Sequence, residues 1–102
     1  MSTNKYHWKR DTKDTRDFKF TPKLNLASLP PRVDLRANCS PVEDQGNIGS
    51  CTGNAIASVI EYLYRKAKKP VDVSRLFIYY EERVSEGTVG YDSGAYIRDG
   101  IK

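Results

Sequence analysis

The chain is 102 residues long, which limits it to one domain, and its 38% apolar and 29% charged content is that of a globular protein rather than a disordered or fibrous one. No apolar run approaches the roughly 20 residues that span a bilayer and the N-terminus has no apolar signal core, so no membrane partner and an intracellular, cytoplasmic location are expected. The net charge of +4 lies in residues 1–23, with seven Lys or Arg against three Asp, whereas residues 24–102 balance at ten of each sign; because Asp11, Asp14 and Asp17 alternate with Arg10, Lys13, Arg16 and Lys19, the cations are diluted and no nucleic-acid partner is expected.

Residues 1–28 have no sustained helical or strand period, and the near-repeat Asp-Thr-Lys, Asp-Thr-Arg, Asp-Phe-Lys over residues 11–19 predicts an extended, solvated lead-in. Tyr6, Trp8, Phe18 and Phe20 are more aromatic content than a disordered tail carries, so docking onto the body is expected. His7, the single histidine, is read as a solvated tail residue. Leu29-Pro30-Pro31-Arg32 punctuates the chain, since two prolines fix an extended backbone and remove two donors. The domain is therefore placed at residues 29–102. Val33 to Arg36 alternates apolar and charged residues, which predicts a short extended piece with Val33 and Leu35 facing inward. Cys39, in a turn-rich patch with no second ligand nearby, is expected to be a small buried filler; no metal and no cofactor are called for.

Downstream of Cys51 the apolar positions Ala55, Ile56, Val59, Ile60, Leu63 and Ala67 recur at spacings of three and four, predicting a helix to about Lys69 that Pro70 ends, with Ser50 as its cap. Gly53 and Asn54 are poor helix formers in its first turn, so close approach of another element is expected to matter there more than propensity. Ser74 caps a second helix, in which Phe77, Tyr80 and Val84 form one stripe and Leu76, Tyr79 and Arg83 a neighbouring one; both are read as core. Residues 86–92, with Gly87 and Gly90, form a loop, and Ser93 starts a third short helix with Ala95, Ile97 and Ile101 facing inward.

The chemistry concentrates at Gln45-Gly46-Asn47-Ile48-Gly49-Ser50-Cys51. A thiol where a glycine-flanked loop becomes a helix sits at the helix N-terminus, where unpaired N–H groups and the macrodipole favour the thiolate. Gln45, on a loop that glycines allow to fold back, supplies a side-chain donor for an oxyanion forming beside that sulfur.

The runs Val33-Asp34-Leu35-Arg36, Pro41-Val42-Glu43-Asp44-Gln45-Gly46 and Gly49-Ser50-Cys51 together resemble the opening of a papain-like cysteine peptidase, in the single-chain form of bacteria and viruses. Ile48 stands where that family usually has a second cysteine, and Thr52 where it usually has an aromatic residue. The resemblance implies an α+β family fold of two domains, of which this mainly α chain is the helical left-hand domain with an extended lead-in. It implies peptide-bond hydrolysis with Cys51 as nucleophile and Gln45 as oxyanion donor, and a polypeptide substrate bound by Gly49, Ser50, Ser93 and Gly94. Ser93-Gly94 stands for a glycine pair that lines the cleft. The family's His and Asn lie roughly 130 to 150 residues beyond the nucleophile, so the expectation is a fragment whose partner is the His- and Asn-bearing strand-rich domain, inactive alone. With no cysteine at Ile48, a reducing compartment and an unpaired Cys39 and Cys51 are expected. The alternative is a binding or decoy module that keeps a papain-like cleft wall without cutting.

Overall fold

The computed structural model describes residues 8–23 and 25–102, with the side chain of Leu26 also left out; Tyr6 and His7 lie outside the described residues. The elements in chain order are β1 (Trp8–Lys9), two short 3-10 turns (Leu26–Ser28 and Arg36–Asn38), α1 (Cys51–Lys66), α2 (Arg75–Glu86), β2 (Ala95–Tyr96) and α3 (Ile97–Ile101). No helix among them is long and apolar enough to cross a membrane.

The helix pair α1–α2 is the centre of the molecule, and α3 packs against both. Ser74 caps α2 by accepting from the Phe77 N–H at 3.2 Å, and Gly87 ends it in the left-handed conformation, φ 73°. At the end of α1, Lys68 adopts φ 60° and the Lys69 N–H reaches back to Tyr64 O at 2.9 Å. The helix therefore closes at Lys66 rather than Lys69, because Pro70 disfavours a helical Lys69.

The seam between α1 and α2 is narrow and polar. A Cβ on Gly53 would stand 2.8 Å from Arg75 O and 3.2 Å from the Tyr79 N, so the close approach expected in the first turn of α1 is present and requires glycine. Gly53, Ala57 and Glu61, one helical turn apart, are buried from α1, together with Thr52; Tyr79 and Glu82 are buried from α2. Of the stripes that periodicity selects as core, Tyr79 is buried and Ile56 lies against Gly100 of α3, but Val59 and Leu63 on α1, and Leu76, Phe77, Tyr80 and Val84 on α2, are exposed. Val33 and Leu35 are likewise exposed, as is Cys39, whose thiol donates to Leu35 O in its local turn at 3.4 Å. All three were expected inside; an apolar pattern reports which face is apolar but not whether a neighbour covers it, and Cys39 sits in an irregular turn-rich patch with no such pattern.

The lead-in is tied down at two points. Trp8 and Lys9 pair in parallel with Ala95 and Tyr96, and Lys9 Nζ lies 3.2 Å from Glu86 Oε1 while the Tyr96 N–H donates to Glu86 Oε2 at 3.0 Å. Arg98 then reaches the Thr12 carbonyl and the Asp17 carboxylate. Phe18 and Phe20 dock on nothing described, at 104% and 92% exposure. The same pairing moves the start of the third helix from Ser93 to Ile97, because Ala95–Tyr96 is extended to meet β1.

Candidate active site

Cys51 is the first residue of α1 and is half-buried. The first backbone bond of the helix is donated by Asn54 to Ser50 O, 2.9 Å, so the N–H groups of Cys51, Thr52 and Gly53 have no acceptor within the helix and point past its N-terminal end. No acidic residue lies in the first turn to oppose a negative charge there. Ser50 occupies the cap position without using its side chain as a cap; it is buried, and its carbonyl and hydroxyl receive the Asn54 amide at 2.9 and 3.1 Å.

The loop before the thiol is shaped by its own polar groups. Asp44 accepts from the Gly46 N–H at 2.8 Å, and Gly46, at φ 64°, takes the left-handed turn that brings the chain back. Gln45 is held by that fold: its Nε2 donates to Ile48 O at 2.8 Å. An amide nitrogen carries two hydrogens, so this bond fixes Gln45 and leaves its second N–H. Gln45, Ile48 and Ser50 also line a groove of about 400 Å³ that runs to Asp72–Leu76.

Gly49 is joined to the other predicted wall. Its N–H donates to both carboxylate oxygens of Asp92, at 3.1 and 2.9 Å. Asp92 immediately precedes Ser93 and Gly94, so the two sequence-derived walls, Gly49-Ser50 and Ser93-Gly94, meet through this residue. Gly94 is buried at φ 73° and donates to the Tyr79 hydroxyl at 2.9 Å, and that hydroxyl in turn donates to Asp92 Oδ1 in a short bond. Burial, then the Asp92 partner, push the Tyr79 phenol up to about 12, keeping it a donor at any physiological pH. Ser93 Oγ lies 2.8 Å from both Thr88 Oγ1 and Gly94 O. The N–H groups of Gly49 and Gly94 are thus committed within the protein.

A second polar pair lies directly behind the thiol. Thr52, next to Cys51, bonds through its hydroxyl to Glu82 Oε2, while Glu82 Oε1 is buried without a hydrogen-bond partner among the described residues. Burial raises the Glu82 carboxyl above the usual range; the Thr52 hydrogen bond offsets this in part, and the charges of Glu86 and Asp99 reinforce it. Asp92, Tyr79 and Glu82 are the residues that sequence reasoning passed over. Tyr79 was visible as a member of an apolar stripe, but nothing in the pattern marked its hydroxyl as the link between two loops.

No family model matches the chain. An uncharacterized peptidase C1-like protein of Acanthamoeba polyphaga mimivirus is 39% identical over 99 residues, 90% of this chain and 32% of that protein. Xylellain, a cysteine protease from Xylella fastidiosa, has a crystal structure similar to this chain with a TM-score of 0.80 at 51% identity. The chain is homologous to the papain-like C1 cysteine peptidases. The structural match covers 94% of this chain and 37% of xylellain, so the chain spans about a third of the length of the relatives it matches. The mainly helical body, with Cys51 heading its longest helix, matches one part of a papain-like protease structure.

Proposed function

We propose that this chain carries the nucleophile half of a papain-like peptidase site that hydrolyses peptide bonds. The observation that carries the reading is the position of Cys51 at the open N-terminal end of α1, behind a loop that Gln45 folds back to hold. In this reading the Cys51 sulfur attacks the scissile carbonyl carbon, the carbonyl π electrons move to oxygen, and the oxyanion is met by the Cys51 N–H and the second N–H of Gln45. Collapse expels the amine and leaves a thioester, which water then hydrolyses. The proton transfers belong to a histidine, oriented by an asparagine, outside these 102 residues. Gly49, Ser50, Ser93 and Gly94 form the wall along which a polypeptide lies. The exposed apolar faces of α1 and α2 are then the surfaces that a second, strand-rich domain covers.

Two results are expected from the 102-residue chain alone: alkylation of Cys51 and negligible peptide hydrolysis. A single-chain fusion of residues 1–102 to the part of xylellain outside the match tests the full reading. Hydrolysis by the fusion is expected, with loss on Cys51→Ala and a fall of about 10²- to 10³-fold in kcat on Gln45→Ala. Hydrolysis that survives Cys51→Ala contradicts it. A decoy module is separated by the same substitution, since such a module keeps its partner affinity without the thiol.

A further inference from the structure

We infer that Asp92 and Tyr79 are positioning residues that lock the nucleophile loop to the opposite cleft wall; this rests on the proposed role of Cys51. The inference stands on a continuous polar chain across the site: Gly49 N–H to the Asp92 carboxylate, Tyr79 O–H to the same carboxylate, and Gly94 N–H to the Tyr79 oxygen. The Gly49 N–H is shared between the two carboxylate oxygens and the Tyr79 hydroxyl donates to one of them, so the bonds to Asp92 have a carboxylate acceptor and are the stronger links of the chain.

The anchoring is firm at its centre. Tyr79 is buried on α2, its backbone lies against Gly53 in the first turn of α1, and the Arg83 guanidinium sits 4.1 Å from its ring centroid. Its ring therefore cannot shift without moving the helix pair. Gly49 is two residues before Cys51, so a bond at Gly49 sets where the chain enters α1 and how the first-turn N–H groups face the sulfur. Gly94, at a positive φ, depends on the same hydroxyl for its N–H partner. One carboxylate and one phenol thus fix both walls relative to one scaffold, the rigid support that a site built on loops requires. Neither side chain is assigned a contact with the reacting atoms.

The test uses the 102-residue chain and its variants Asp92→Ala, Asp92→Asn and Tyr79→Phe, with circular dichroism to show that each keeps its helices. Two readouts are taken. Iodoacetamide labelling, resolved by peptide mass, gives the rate at Cys51 with exposed Cys39 as the internal reference. NMR follows the Gly49 and Gly94 amide protons with pH and in hydrogen exchange. Asp92→Ala is expected to slow Cys51 labelling relative to Cys39 and to speed Gly49 exchange, each by about tenfold, while α1 interior amides hold. Asp92→Asn, which keeps an acceptor oxygen but not the charge, restores most of the labelling rate. Tyr79→Phe speeds exchange at Gly94 and Gly49 together.

A purely electrostatic role for Asp92 makes Ala and Asn variants equal, and both faster than the parent; that result, or unchanged Gly49 and Gly94 amides in Tyr79→Phe, overturns the inference. If instead the parent Cys51 labels no faster than Cys39 while the amide signals behave as expected, the tether stands and the nucleophile assignment falls.

Discussion

The inner and outer faces of the α1–α2 pair are made of opposite materials. The inner seam buries Gly53, Ala57, Thr52, Glu61 and Glu82, small and polar residues, around the Tyr79 ring, and at Gly53 the helices meet at backbone distance. The outer faces carry Val59, Leu63, Leu76, Phe77, Tyr80 and Val84 and are open, with Phe77 at 62% exposure. A helix pair that burial of its apolar stripes alone had assembled would show the reverse. The difference teaches that specific polar pairs hold this seam together, and that the larger apolar area is available for a further surface, which the proposed function assigns to a strand-rich domain.

The seam also differs along its length. At one end Glu61 accepts from Arg75 and, at 3.1 Å, from Ser40. Burial alone raises its carboxyl, but the Arg75 hydrogen bond, then Ser40 and the Arg75 charge, outweigh it and the group ends below the usual range. At the other end Glu82 has a hydroxyl for a partner and ends above it.

Arg75→Met attacks the seam most severely, because it strands a buried carboxylate; a loss of about 3–5 kcal/mol is expected in urea denaturation. Gly53→Ala comes next. Its new Cβ meets Arg75 O and the Tyr79 backbone rather than a flexible side chain, so the helices must part, at a cost of about 1–3 kcal/mol.

The two carboxylates give a smaller, pH-resolved effect. Glu61, lowered on folding, contributes stability that is present above its unfolded value of about 4.5 and lost as pH falls through its folded value. Glu82, raised on folding, contributes stability that is present below about 4.5 and lost as pH rises through its folded value. Thermal unfolding followed from pH 3 to 8, a span set by those shifts, should therefore flatten on its acid limb in Glu61→Gln and on its alkaline limb in Glu82→Gln. A variant that flattens the other limb reverses the assignment. The outer face sharpens the contrast from below: Val59→Lys and Phe77→Ser should change the stability of the 102-residue chain by no more than about 0.5 kcal/mol. A larger loss at either position shows that the outer face is part of this chain's own core.

The helices α1 and α2, the Ser74 cap, the Pro70 breaker and the loop from Gln45 to Cys51 were legible in the sequence, because a capping serine and a proline act locally and the spacing of apolar residues reports helical period directly, whereas Ser50 makes no side-chain cap and the third helix starts at Ile97 rather than Ser93. Burial was not. Val59 and Phe77 carry a strong period whichever body covers them, whereas Glu61 and Glu82 look like solvated charges until Arg75 and Thr52 arrive from residues 14 and 30 positions away. Gly53 was readable as a close-approach position for the opposite reason: a glycine in a first helical turn is unfavourable unless something takes its space. Of the site, Cys51 and its loop were plain, but the carboxylate joining Gly49 to the Ser93-Gly94 wall depends on a contact 43 residues apart that no local pattern encodes.

The most direct test of Cys51 as a nucleophile is its rate of carboxamidomethylation against that of Cys39 in the same folded molecule, read by mass spectrometry of the two peptides at neutral pH. Cys39 is the more exposed thiol, so access alone favours it. Faster modification of half-buried Cys51, with the preference lost in denaturant, is the predicted result; equal or slower modification of Cys51 would contradict the account.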